Sequence, residues 1–335
     1  MQKAMMLYAK DRRCYLERAY TESVREQIKT FCDLLPDPVN EMQLEEYAEI
    51  LKEIEILFTS WWVPELTVLQ IKKYFPKLKI VFYAAGSVQY FARSFLENGV
   101  RVVSGWAANG TPVAEYTVAQ IILANKGFFQ NSIRMRENYD DARAFSDCFS
   151  GNYGAKIGIL GAGAVGSRVI SLLRPYQLEV WVYDPYLSEK RAEELNVTKH
   201  SLEEIFEQCD VISNHVAKLP ETEGMINYSL LSRMKSCSTL LNTGRGSQIV
   251  EDDLIRVMQE DCTRTAVLDV TDPEPPIEDS LLYGTANIIL TTHIAGSMGL
   301  EIGRIGQYIA DEALRFVRGE PLKYEITEET LQTMA

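Results

Sequence analysis

Short apolar runs alternate along the first hundred residues with longer stretches whose apolar positions recur at helical spacing. Ala4 to Ala9, Ile54 to Thr59, Leu78 to Ala84 and Val100 to Ser104 are predicted strands, and Glu17 to Phe31, Pro64 to Phe75 and Tyr90 to Glu97 predicted helices. Strands separated by helix-length segments imply parallel pairing through crossovers, so this region is expected to form an α/β layer. Thr111-Pro112 reads as a helix start, with the hydroxyl as N-cap and proline in the first turn, and the periodicity runs on to predict a helix over 112–136. A helix that long links two domains. Its apolar positions Val118, Ile121, Ile122, Phe128 and Phe129 fit either domain packing or a subunit contact. Residues 139–155 read as a loop.

From Ala155 the doubly wound pattern resumes. Strands are predicted at 156–160, 179–183, 210–213, 238–242, 264–270 and 287–291, with helices from 164 and over 187–195, and Ser201 with Glu204 forms a capping box.

Length and charge narrow the class. A chain of 335 residues is comfortable for two domains. Its net charge of -13 repels polyanions, which argues against nucleic acid and an anionic membrane surface as partners. The six cysteines (Cys14, Cys32, Cys148, Cys209, Cys237, Cys262) show no metal-ligand spacing, and all are expected to be free thiols. No metal is expected. No secretory or membrane-spanning segment is apparent, and the cytoplasm is the expected compartment.

The stretch Gly158 to Gly166 places the glycines of a G-x-G-x-x-G turn at Gly161, Gly163 and Gly166, between an apolar strand and a helix. Gly161 suits the tight turn, Gly163 lets backbone approach a pyrophosphate and Gly166 lets helix pack on strand. The helix start offers unpaired N–H groups to phosphates. Asp184 ends the next strand, where its carboxylate can accept ribose hydroxyls and repel a 2′-phosphate, which favours NAD over NADP.

Three further strand ends carry ionisable groups. Arg245 lies between Gly244 and Gly246, Glu274 follows Asp269 and Val270, and His293 stands just past Ile288 to Leu290. A guanidinium can hold a carboxylate through paired hydrogen bonds, an imidazole titrates near neutrality and can exchange a hydroxyl proton, and a carboxylate can fix the imidazole tautomer. Hydride transfer at C2 of a 2-hydroxy acid needs that set.

In these residues and their order the chain resembles the D-isomer-specific 2-hydroxyacid dehydrogenases, nearest the phosphoglycerate dehydrogenase and hydroxypyruvate reductase branch. The ordered motifs are Gly86-Ser87-Val88, Pro112-Val113-Ala114-Glu115, the glycine turn, Glu221-Thr222, Asn242 to Gly246, Asp269-Val270, Glu274-Pro275 and His293. The resemblance implies two doubly wound parallel-sheet domains: a Rossmann NAD-binding domain over 111–297 inserted in a flavodoxin-like substrate domain of 1–110 and 298–335. It implies Arg245, Glu274 and His293 as the catalytic three. Ala164, Val165, Ala217, Thr222, Thr243, Gly244 and Gly296 would line the dinucleotide, and Asp269 would bind the nicotinamide amide. Trp61, Gly86, Ser87, Val88 and Arg245 would meet the substrate, a small 2-hydroxy or 2-oxo acid. A homodimer contacting through the long helix is implied as well, and no serine-feedback extension is expected after Ala335.

Three positions depart from the family pattern. Gln89 replaces an aspartate, Ala217 replaces a proline, and Thr59-Ser60-Trp61-Trp62 stands where phosphoglycerate-type enzymes place arginine. The two indoles fit an apolar or ring-shaped substrate tail, or simple packing. Phosphoglycerate dehydrogenase proper and an NADH-sensing corepressor-like protein are the alternatives.

Overall fold

In the computed structural model, which describes residues 1–333, the chain divides into two compact units: Met1–Gly110 with Ser297–Ala335, and Thr111–Gly296.

The first unit is built on strands β1 (Gln2–Tyr8), β2 (Cys32–Leu34), β3 (Val39–Asn40), β4 (Ile56–Thr59), β5 (Ile80–Tyr83) and β6 (Arg101–Ser104). The sheet runs Glu325–Ile326, β6, β5, β4, β1, β2, with β3 also on β1; all pairs are parallel except the antiparallel one between Glu325–Ile326 and β6. Its central strands are apolar on both faces, as a sheet covered by helices on two sides requires. Met5, Leu57 and Val81 point to one core with Phe91 and Phe95; Ala4, Phe58 and Phe82 point to the other with Ile305 and Ile309 of the helix Leu300–Val317. The single predicted helix over Glu17 to Phe31 is two, Arg13–Ala19 and Glu22–Lys29, separated where Thr21 adopts an extended backbone.

The second unit carries β7 (Tyr153–Leu160), β8 (Gln177–Tyr183), β9 (Thr198–Lys199), β10 (Val211–Asn214), β11 (Thr239–Asn242), β12 (Thr265–Leu268) and β13 (Ile288–Leu290). Its order is β13-β12-β11-β10-β7-β8-β9, parallel throughout. The order reverses beside β7, which opens a crevice at the carboxyl ends of β7 and β10. The capping box of Ser201 and Glu204 is present.

Three expectations need correction. The long helix spans Trp106–Ala124, not 112–136: Thr111 is no N-cap and Pro112 sits inside the helix. The helix ends at a turn where Gly127 is left-handed (φ 65°), and a separate helix, Phe128–Arg134, follows. Residues 139–155 are not all loop, because Asn138 accepts from the backbone N–H of Asp140 and Asp141 and starts a helix over Tyr139–Phe145, and β7 begins at Tyr153. The cysteines are not all free. Cys148 and Cys237 form a disulfide, with Cα atoms 6.2 Å apart across a sequence separation of 89, a pairing that spacing alone does not reveal. Cys14, Cys32, Cys209 and Cys262 are thiols.

Candidate active site

The glycine turn lies at the crevice of the second unit. Gly161 has φ 85°, and a side chain there would meet the His215 carbonyl oxygen at 2.9 Å. A Cβ on Gly166 would lie 2.0 Å from the Gly161 carbonyl oxygen, so the helix Ala164–Leu173 closes on the turn as only glycine permits. Gly163 borders open space, with nothing within 4 Å of an added Cβ, and the N–H groups of Ala164 and Val165 head the helix beside it. Asp184 follows β8 and is already employed: one oxygen accepts from Ala162 N and the other from Tyr186 N, both at 2.8 Å. A carboxylate has lone pairs beyond those two, so the turn is braced and ribose hydroxyls can still be met. An open backbone cradle at a helix start with an acidic residue one strand over fits a dinucleotide.

The loops after β10 and β11 form one hydrogen-bonded body. Gln248, fully buried, donates from Nε2 to the carbonyls of Val216 (2.8 Å) and Ala217 (3.0 Å), and its Oε1 accepts from Asn214 Nδ2 (2.6 Å) and Arg245 N (3.1 Å). Asn242 Oδ1 accepts from Gly244 N at 3.1 Å, and its Nδ2 donates to the Arg245 carbonyl at 3.0 Å. Thr222 Oγ1 donates within its own loop, to Ala217 O (2.7 Å) and Leu219 O (3.0 Å), and so shapes the wall that Ala217 presents. Thr243 Oγ1 lies 3.3 Å from Thr117 Oγ1 of the long helix and 3.5 Å from His215 Nδ1; His215 Nε2 is 2.9 Å from Ser213 Oγ. Burial pushes the His215 imidazole down to about 4, so it is neutral at neutral pH. Gln248, Asn214, His215 and Thr117 were not singled out by sequence. Their only signal was a polar side chain inside an apolar or glycine-rich run.

Arg245, Glu274 and His293 are placed by the ends of β11, β12 and β13. His293 Nδ1 and Glu274 Oε1 are 2.8 Å apart, both side chains half exposed. A carboxylate cannot donate, so Nδ1 carries the proton of that bond and Nε2 is left for other chemistry. Arg245 Nη1 donates to the Gly244 carbonyl at 2.8 Å, and no carboxylate lies within ion-pair distance of its guanidinium among the described residues. Burial pulls its pKa down, and the Glu274 carboxylate opposes that. A half-buried, unpaired guanidinium is a binding group for an incoming anion. Asp269, buried after β12, spends its carboxylate on the turn that carries His293. Gly296 closes this unit.

The remaining candidates belong to the first unit. Trp61 is partly buried against both of its cores, whereas Trp62 is 55% exposed with a left-handed backbone (φ 63°) and carries the Arg12 guanidinium 4.9 Å above its ring. Tyr90 OH accepts from Val63 N at 3.1 Å and anchors that loop. Gly86 and Ser87 are half-buried after β5, and Val88 is fully buried. Among the described residues no helix is long and apolar enough to cross a membrane, and no cluster of three His, Cys, Asp or Glu could hold a metal.

The chain can be set beside known proteins. The family model of the D-isomer specific 2-hydroxyacid dehydrogenase NAD-binding domain matches residues 118–295. The D-3-phosphoglycerate dehydrogenase of Bacillus subtilis is 29% identical over 226 residues, 68% of this chain and 42% of that protein. The chain spans about half the length of the curated relatives it matches. Apo D-mandelate dehydrogenase of Rhodotorula graminis superposes with a TM-score of 0.80 at 19% identity, covering 98% of each chain. The NAD complex of a D-isomer specific 2-hydroxyacid dehydrogenase from Lactobacillus delbrueckii ssp. bulgaricus gives 0.77 at 18% identity, covering 97% of this chain and all of that one. These structural likenesses share the fold. With a family match over more than half its length, a range that includes the glycine turn and the loops just described, the chain belongs to the D-isomer-specific 2-hydroxyacid dehydrogenases.

Proposed function

We propose that the protein interconverts a D-2-hydroxy acid and its 2-oxo acid with NAD, and that His293 is the general acid and base. The hydrogen bond between His293 Nδ1 and Glu274 Oε1 carries this reading. It fixes the tautomer, so Nε2 receives the hydroxyl proton in oxidation and returns it in reduction. NAD, when bound, supplies the hydride acceptor for C2. Arg245 takes the substrate carboxylate and polarises the neighbouring oxygen, and its lack of a carboxylate partner among the described residues supports that role. Asp184 meets the ribose, and the amides of Ala164 and Val165 meet the pyrophosphate. Trp61, Gly86, Ser87 and Val88 are proposed substrate contacts from the first unit, with the exposed Trp62 a better candidate than Trp61 for a side-chain contact. A cytoplasmic homodimer is the proposed setting, although the Cys148–Cys237 pair removes two of the thiols that supported a reducing compartment.

A second reading has its own support. The matched curated relatives are named D-3-phosphoglycerate dehydrogenases, and Arg12 brings a cation to the loop after β4, although that loop has no arginine of its own. A panel of glyoxylate, hydroxypyruvate, phosphohydroxypyruvate, pyruvate, 2-oxoisocaproate and phenylpyruvate with NADH separates the two. Turnover of an unphosphorylated acid, with little of the phosphorylated one, is expected. Binding of NADH without oxidation by any acid refutes a reductase.

A further inference from the structure

His293 has a left-handed backbone, φ 55°, a conformation that a residue with a Cβ adopts only when its surroundings enforce it. The enforcement comes from Asp269. The His293 N–H donates to the Asp269 carbonyl at 3.0 Å, the Ile294 N–H to Oδ1 at 2.8 Å and the Ala295 N–H to Oδ2 at 2.9 Å. Thr291 Oγ1 adds a fourth bond, to Oδ1 at 2.7 Å. One aspartate therefore grips the turn on both sides of the imidazole.

The grip has an order. A carboxylate only accepts, so the Thr291 hydroxyl proton points to Asp269 and the Thr291 oxygen is left to accept. Tyr116 OH of the long helix lies 3.3 Å from that oxygen and must be its donor. Burial and the Asp269 charge raise the Tyr116 phenol above its ordinary value, which keeps the donor protonated. The bonds run one way: Tyr116 to Thr291 to Asp269, with the His293 turn hung from the last.

We propose that Tyr116, Thr291 and Asp269 form a positioning chain that holds the His293 turn, so that the imidazole meets the reacting oxygen in one fixed orientation. It rests on His293 as the acid–base group. Tyr116 and Thr291 touch neither substrate nor cofactor in this scheme. Asp269 gains a task distinct from the nicotinamide contact that the family resemblance implies.

The test uses the full chain with NADH and the fastest acid of the panel. Thr291→Val keeps the shape and removes the hydroxyl, and a misplacement of the imidazole is expected to lower kcat by about tenfold to a hundredfold. KM and the NADH Kd stay within about twofold, and Thr291→Ser restores kcat. Tyr116→Phe lowers kcat a few-fold. Because Tyr116 acts through Thr291, the double variant is no slower than Thr291→Val alone. A readout apart from activity comes from the imidazole 15N resonances of the three histidines, assigned with His293→Ala. That of His293 moves in Thr291→Val and returns in Thr291→Ser. Wild-type kcat in both Thr291→Val and Tyr116→Phe overturns the chain, as does additivity or an NADH Kd that rises in step with the loss of kcat. Full turnover in His293→Ala overturns instead the acid–base reading on which the chain rests.

Discussion

The two units use one construction and end it differently. Each is a seven-stranded sheet, parallel throughout in the second unit and in all but one pair in the first, with strands buried at every position: β4 and β5 in the first, β10, β11 and β12 in the second. In the second unit the strands of the crevice run out into Gly161, Asp184, Asn214, Asn242 and Asp269, whose polar groups bond to neighbouring loops. In the first unit the matching ends carry Trp61, Trp62, Tyr83 and Gly86, and the bonds behind them come from the buried hydroxyls of Tyr20, Ser60 and Ser104. A shared sheet therefore implies no shared task. The second unit spends its polar residues on holding ionisable groups in place, the first on holding a backbone shape.

That contrast is most exposed to substitution at His293. With His293→Ala, kcat is expected to fall by about 10²- to 10⁴-fold, the usual share of a positioned proton carrier, while NADH binds as before. Arg245→Ala should raise KM, because a carboxylate holder binds the ground state as well as the transition state, and should also lower kcat, because the guanidinium polarises the reacting oxygen. Steady-state rates followed by NADH absorbance check both. If a Trp62→Ala substitution in the first unit cost as much kcat as His293→Ala, the division of labour would be wrong.

A matched pair of glycines gives a smaller and more direct comparison. An alanine at Gly166 places its Cβ 2.0 Å from the Gly161 carbonyl oxygen, and one at Gly306 places it 1.8 Å from the Ala19 carbonyl oxygen. Both meet backbone, which cannot swing away, and overpacking of this kind costs about 1–3 kcal/mol or more. The insult is equal and the outcome should differ. Gly166→Ala is expected to raise the NADH Kd by tenfold or more, because the cradle moves with the helix, whereas Gly306→Ala destabilises the first unit and leaves the Kd alone. Thermal melts with and without NADH read this, since a ligand stabilises only the unit that binds it. Loss of NADH affinity in both variants would mean that the units do not behave as separate bodies.

How much of this was legible depends on distance along the chain. Asp184, Arg245, Glu274 and His293 could be placed just past strand ends because each follows an apolar run, and the position of a strand end is local information. The helix boundary failed for a related reason. Pro112 looks like a helix start, but a proline seven residues into Trp106–Ala124 loses one backbone bond that the rest of the helix outweighs. What sequence could not show is pairing at long range. Tyr116 reaches Thr291 across 175 residues, Gln248 reaches Val216 across 32, and Cys148 reaches Cys237 across 89. None of these pairs shares a periodicity or a motif, and only the sheet order brings them together.

The smallest expected difference between the units is in acid. His215 of the second unit is neutral and held down to about 4 by burial, against an unfolded value of about 6.5. Its folded value is the lower one, so between about pH 6.5 and about 4 the unfolded chain binds more protons, and stability is complete above that window and lost as pH falls through it. Part of the residue is open to solvent, which reduces the full linkage to about 1–2 kcal/mol. The buried phenol of the first unit, Tyr20, donates to the carbonyls of Thr59 (3.0 Å) and Phe82 (3.2 Å), and burial raises its pKa far above neutrality. It stays protonated throughout and contributes no slope there. Urea midpoints of the wild type should therefore fall on acidification across that window, and the fall should shrink in His215→Gln. In Tyr20→Phe the midpoint drops by a similar amount at every pH, because what is lost is a pair of buried hydrogen bonds worth about 1 kcal/mol and not a titration. An undiminished acid slope in His215→Gln would move the origin of the pH dependence away from the cofactor crevice, and the contrast between a unit that manages charge and a unit that manages shape would lose its thermodynamic support.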